Sequence, residues 1–182
     1  ANLAATYTVQ ASANGCLGST STATINVKPL PIATSTPSMQ SICSGAAFNT
    51  INFSSNMSAT TYAWNTIKVG TSISGQTNSG NTSSIPGIVL SNSGSVDDSI
   101  IYSVIPTRSL CAGLAIFDTI IVRPLPVVVP PVTQNICSNT SSSILSLQSS
   151  IPGTSYTWSG AISGGITGFI QNDTTSIIPA MY

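Results

Sequence analysis

Four aspartates, two lysines, two arginines and four cysteines are the only ionisable groups this 182-residue chain offers beside its tyrosines. The carboxylates are Asp97, Asp98, Asp118 and Asp173, and neither Glu nor His occurs. General acid–base work needs a positioned base, most often imidazole or a carboxylate held near a second titratable group. The one acidic pair, Asp97-Asp98, precedes a Tyr-Ser-Val stretch and reads as a solvated turn. A calcium site would want six to eight oxygens, several of them carboxylates, and this pair supplies too few. Cys16, Cys43, Cys111 and Cys137 show no CxxC spacing, and there is no His to complete a zinc site or to activate a thiolate. No P-loop, G-x-S-x-G elbow or G-x-G-x-x-G fingerprint is present; "SGAISGG" (159–165) has the glycines of a turn but no phosphate-binding lysine. The expectation is no catalytic residue, no metal, no cofactor and no enzyme.

Composition excludes two partner classes as well. Formal net charge is zero, and the four cations (Lys28, Lys68, Arg108 and Arg123) are scattered. Nucleic acid and anionic lipid both require clustered Lys or Arg. The most apolar stretch, "AIFDTIIVRPLPVVVPPV" (115–132), is broken by Asp118, Arg123 and four prolines, so it does not read as a membrane span. Ser and Thr make up about 30% of the chain, far above ordinary usage. Hydroxyls rather than charges solubilise this surface.

What must hold these side chains is written in a repeat. "TINVKPLP" (24–31) returns as "TIIVRPLP" (119–126), and "QSICSG" returns as "QNICSN". Tyr7/Tyr102, Cys16/Cys111, Pro29/Pro124 and Pro31/Pro126 are each 95 positions apart. Gln40/Gln134, Cys43/Cys137, Tyr62/Tyr156 and Trp64/Trp158 are each 94 apart. A period near 95 suits one β-sandwich module, since sandwiches of the immunoglobulin type run to about 100 residues. On this period residues 1–31 are the closing part of one module, 32–126 a complete module, and 127–182 the opening part of the next. The chain therefore reads as a window on a longer tandem array.

Local patterns favour strands throughout. "TYTVQ", "IYSVIP", "TYAWN" and "SYTWS" alternate aromatic or β-branched residues with small polar ones, the period of a half-buried strand. No sustained 3.6-residue apolar stripe appears; the best helical candidate, "SSSILSLQSS" (141–150), reads equally well as a strand. In the complete module strands are expected near 47–54, 59–65, 85–90, 99–106 and 114–123, with weaker ones near 33–42 and 67–73. The proline phrases "KPLPIATSTP" and "RPLPVVVPP" fix φ and remove donors, so they read as extended spacers between modules. Trp64 and Trp158 could in principle stack on a sugar, but each alternates with a Tyr inside a strand and recurs once per module. The expected core anchors are Trp64, Trp158, Tyr62, Tyr156, Tyr102 and Tyr7.

Inside the complete module the only disulfide available is Cys43–Cys111, leaving Cys16 and Cys137 to pair outside the chain. Standard immunoglobulin topology sets the positions of Cys43 and Cys111 at opposite poles. The bridge is favoured here, with a different topology, bridges between modules, or free thiols as the alternatives.

The pattern Y-x-V, G-C-x-G, I-x-V-x-P-x-P, Q-x-I-C-S-G, Y-x-W is carried by Tyr7, Val9, Gly15, Cys16, Gly18, Ile25, Val27, Pro29, Pro31, Gln40, Cys43, Tyr62 and Trp64. It resembles the PKD-like and immunoglobulin-like repeats of large secreted surface proteins of Bacteroidota, gliding-motility adhesins among them. The second copy departs at Leu110, where the first has Gly15, and at Asn139, where the first has Gly45. The resemblance implies an all-β fold of tandem immunoglobulin-like (PKD-like) sandwich modules, type IX export and an extracellular, cell-surface location. It implies a non-catalytic spacer or adhesive role. The partners would be neighbouring modules of the same long chain, with surface glycans or other cells beyond them. Asp98-Ser99-Ile100, Asp118-Thr119-Ile120 and Asp173-Thr174-Thr175 are similar to the O-glycosylation signal of that phylum, which makes Ser99, Thr119 and Thr174 candidate glycan sites. Two other roles stay open beside the spacer. One is a filament subunit that assembles by strand complementation, and the other is a carbohydrate-binding module.

Overall fold

The computed structural model describes residues 3–164 and 168–181; Gly165, which ends the SGAISGG phrase, lies outside them. Every regular element among the described residues is a strand. The chain opens with a hairpin, β1 (Leu3–Ala13) and β2 (Cys16–Val27), paired antiparallel around Asn14-Gly15. Both turn residues have positive φ, 50° and 82°, as a two-residue turn that matches strand twist requires.

Residues 33–123 then build a sandwich. Its first sheet contains β3 (Ala33–Thr36) and β5 (Ile51–Ser55), with β9 (Ser84–Ile85) on the far side of β5. Its second sheet runs in the order β4 (Met39–Cys43), β13 (Ile116–Arg123), β11 (Asp98–Arg108), β6 (Thr61–Val69), β8 (Ser79–Gly80). The short β12 (Cys111–Ala112) folds back on the end of β11, and β7 (Ile73–Ser74) pairs with β10 (Ser91–Asn92). The stretch expected as one weak strand near 33–42 is two strands, one in each sheet. The chain changes sheets at Thr36-Pro37, whose peptide bond is cis. Beyond the sandwich, β14 (Val128–Val129), β15 (Leu145–Ser146), β16 (Gln148–Ser149), β17 (Trp158–Ser159), β18 (Asn172–Asp173) and β19 (Ile177–Ile178) form three two-stranded ladders. The ambiguous segment 141–150 is thus β15 and β16.

Alternation explains the core. Ile51 and Phe53 of β5, Tyr62 and Trp64 of β6, Ile100, Tyr102 and Val104 of β11, and Ile120 and Val122 of β13 all point between the sheets. Phe48, Ile73, Ile85 and Leu90 close the ends. Burying each large apolar side chain stabilises by about 1.5–3 kcal/mol. The strand expected over 85–90 shrinks to two residues. Beyond Ile85 the backbone pairs with 46–48 only through an isolated Ala47–Val89 bridge, and a Cβ on Gly87 would sit 2.1 Å from the Phe48 carbonyl oxygen.

The second hairpin, β11–β13, repeats the first. Tyr7 faces Ala23 as Tyr102 faces Asp118, and Leu3 faces Val27 as Asp98 faces Val122. Its turn, Ser109-Leu110, has φ of 48° and 70°. Leu110 is fully exposed, so its side chain gains no packing while its backbone sits where a Cβ is disfavoured. Leu110→Gly, which restores the residue at the equivalent position 15, is expected to stabilise the sandwich by about 1 kcal/mol. Chemical denaturation would read this as a raised midpoint at unchanged slope.

Candidate functional site

The interior of the 33–123 sandwich holds the chain's most constrained side chains. Trp64 and Tyr102 meet edge to face, with centroids 5.8 Å apart and an interplanar angle of 82°. Phe53 and Tyr62 pack at 5.4 Å. The Trp64 indole N–H donates to Thr82 Oγ1 at 3.1 Å. The ring lies so close to β8 that a Cβ on Gly80 would stand 2.4 Å from it. This geometry locks β6 to β11 and β8 through one residue, with the indole enclosed rather than offered to a ligand.

Two ionisable groups share that interior. Asp118 is fully buried on β13, directly across from Tyr102 on β11. Ser35 of β3 donates its hydroxyl to Asp118 Oδ1, a bond that joins the two sheets. Asp118 Oδ2 and the Tyr102 hydroxyl have no hydrogen-bond partner among the described residues. Burial raises the Asp118 carboxyl above the ordinary carboxylate range, partly opposed by the Ser35 bond. Burial also pushes the Tyr102 phenol up to about 12. The Ser35–Asp118 bond ties the two sheets together across the core, with Tyr102 directly across from Asp118.

Polar side chains fasten the loops. Asn92 donates to the Val96 and Val122 carbonyls at 2.9 and 2.8 Å, and its own amide N–H donates to Ser44 Oγ at 2.8 Å. The Asp97-Asp98 pair does not act as a unit. Asp98 accepts from the backbone N–H groups of Ser99 and Ser72 at 2.8 and 3.3 Å, whereas Asp97 turns to Arg123 at 3.8 Å on the surface. No cluster of three metal-ligating groups occurs among the described residues, and no helix there is long and apolar enough to cross a membrane.

The cysteines require a correction. Cys43 and Cys111 are free, as are Cys16 and Cys137. Cys43 ends β4 opposite Arg123, while Cys111 lies at the β11–β13 turn, before Ile116. The eight residues of β13 separate them by about 24 Å at 3.4 Å per residue, far beyond the Cβ–Cβ span of a disulfide. The topology is the immunoglobulin one, and it keeps this pair apart.

The anchors also divide. Tyr62, Trp64 and Tyr102 lie in the core. Tyr7 is 56% exposed, and Tyr156 and Trp158 are only half-buried. These three are therefore not core residues in this structure. Tyr102 points into the core between the two sheets of the sandwich; among the described residues β1 pairs only with β2, and β17 only with β18. The candidate glycan sites differ too. Ser99 and Thr119 are half-buried within β11 and β13, and Thr174 is exposed. Asp118, which the sequence reading took as a break in the apolar stretch and as part of a glycan signal, is the buried carboxyl of the core. Its position in Ile116-Phe-Asp118-Thr-Ile120-Ile-Val122 puts it on the inward face.

No curated protein matches the chain. Residues 40–126 match the family model of the PKD-like domain, so the sandwich that carries Trp64, Tyr102 and Asp118 is similar to PKD-like domains and immunoglobulin-like in architecture.

Proposed function

We propose that the chain is a non-catalytic spacer segment of a repetitive bacterial cell-surface adhesin, in which sandwich modules carry tension between a surface and a distal binding region. Domains of the matched type are generally non-catalytic and typically extracellular. On this reading residues 1–31 and 127–182 belong to the modules that flank 32–126, and the proline phrases hold neighbours apart.

The observation that carries the reading is the parallel pairing of β4 with β13. Met39–Cys43 lies beside Thr119–Arg123, so the strand that directly follows the entry strand β3 is laddered to the exit strand. Pulling residue 32 away from residue 124 drives these two strands past each other. The hydrogen bonds of all five register pairs are then loaded together, in shear, instead of opening one at a time. Pro31 is buried at the entry, and a Cβ on Gly113 would stand 2.0 Å from its carbonyl oxygen. That close packing anchors the linker to the β11–β13 turn.

Single-molecule pulling on a longer array of this sequence should give a sawtooth, with one abrupt high-force event per module. A smooth extension at low force would reject the spacer reading.

A further inference from the structure

Three residues stand between the last strand of the sandwich and the clasped start of the next ladder, and two of them are prolines. Arg123 ends β13, and Pro124-Leu125-Pro126 leads to Val127, the residue before β14. Each proline ring fixes its own φ, and each confines the residue before it to extended backbone. Those preceding residues are Arg123 and Leu125. The linker is therefore an extended piece about 9 Å long, at about 3.1 Å per residue, with few torsions left to turn.

Both of its ends are fastened. On the sandwich side Arg123 lies beside Cys43 in the β4–β13 ladder, and its carbonyl accepts the Ser44 N–H at 2.7 Å. On the far side Val127 donates its N–H to Ser150 Oγ at 3.0 Å, and its carbonyl accepts the Ser150 N–H at 2.9 Å. The same clasp holds the entry of the sandwich itself. Ile32 donates its N–H to Asn56 Oδ1 at 2.9 Å, and its carbonyl accepts the Asn56 N–H at 3.2 Å. Ile32/Val127 and Asn56/Ser150 keep the repeat offsets of 95 and 94. One clasp is thus built twice, with an amide side chain in the first case and a hydroxyl in the second.

Loops stand on either side of the linker. Ser95 and Asp97 face Pro152, Gly153 and Thr154 across one cleft. Ser93 and Gly94 face Val127 and Ser150 across another, with Leu125 in its wall. Bending toward either cleft brings loop against loop within a few residues of the pivot.

We infer that residues 123–127 form a stiff joint, which holds the strands after it at one fixed orientation to the 33–123 sandwich. This goes beyond the spacer reading and rests on it in one respect: in an array, the clasp at each entry repeats the same orientation from module to module. Such an array is a rod that points its far end, where a flexible linker would leave a string that only limits reach.

The test is nuclear magnetic resonance of the full 182-residue chain, with amide dipolar couplings measured in a dilute aligning medium. One alignment tensor, at one magnitude, should fit both the strands of the sandwich and strands β14 to β19. Two variants release the joint. Pro124→Gly/Pro126→Gly frees both φ angles, whereas inserting Gly-Ser-Gly-Ser after Leu125 leaves the prolines and both fastened ends in place. Leu125 and Pro126 are exposed, so the amide shifts of Ile51, Tyr102 and Val122 should stay as they are. In each variant the couplings of β14 to β19 should lose magnitude relative to those of the sandwich. Two tensors in the unaltered chain would overturn the inference. A single tensor that survives either change would overturn it too, since the orientation would then be set outside the linker. Neither failure touches the pulling result, which depends on the β4–β13 ladder.

Discussion

Replacing Trp64 with alanine is expected to cost the sandwich about 3–5 kcal/mol, the usual range for deleting a large buried aromatic. Three losses add. The ring leaves a cavity between β6 and β8, where Gly80 has no side chain to fill it. Tyr102 loses its edge-to-face partner, worth about 0.5–1.5 kcal/mol. Thr82 loses the indole donor at 3.1 Å. A domain of this size has about 5–15 kcal/mol in total, so the variant should be marginal or unfolded at 37 °C. The companion change Trp158→Ala should cost far less, because that ring is half-exposed in the monomeric chain. Urea unfolding followed by far-ultraviolet circular dichroism separates the two. Equal losses at positions 64 and 158 would show that the core is not where Trp64 meets Tyr102.

Asp118→Asn is expected to stabilise the sandwich at neutral pH and to flatten its pH dependence. The sign follows from the direction of the shift. A carboxyl whose folded-state value is raised binds its proton more readily folded than unfolded. The unfolded chain therefore releases the proton first as pH rises, and stability falls with it. The Asp118 contribution is fully present below the ordinary Asp range and is lost as pH climbs through the raised folded-state value. The amide keeps an acceptor for the Ser35 hydroxyl and removes the buried charge. Its gain at pH 7 should be on the order of 1–3 kcal/mol, the desolvation cost of one unsatisfied buried polar group. A domain of this length shifts its melting temperature by about 4–8 °C per kcal/mol. Calorimetry from pH 3 to pH 8 should show the wild type losing ground to the variant as pH rises. A variant that is less stable at pH 7 than at pH 3, relative to wild type, would mean that the ionised carboxylate is favourable where it sits.

Much of this organisation was legible in the residues themselves. The Tyr-x-Trp and Tyr-x-Val alternations located β6 and β11 with their inward faces. What escaped followed from neighbours that no local pattern contains. Trp158 and Tyr7 are more exposed than Trp64 and Tyr102, although their own local sequences match those of these buried counterparts. The split of 33–42 into β3 and β4 is a change of sheet, which period-two alternation does not register. Asp118 could have been found: the inward phase of β13 runs through Ile116, Ile120 and Val122, and position 118 lies on it. Its partner Ser35, 83 residues away, could not. The favoured Cys43–Cys111 pairing gave way to the objection already raised by standard immunoglobulin topology, which sets the two positions at opposite poles, as the structure does.

The separation of those thiols sets how far the module can lengthen once it yields. A bridge from position 43 to 111 would have locked residues 44–110 into a closed loop, leaving about a quarter of the module to unravel. With both sulfurs free at opposite poles, the whole of residues 33–123 can spool out, about 300 Å at the reach of an extended chain. Under the proposed spacer role, each rupture would then dissipate work over a long path, so that a sudden load is taken up by extension of one unit.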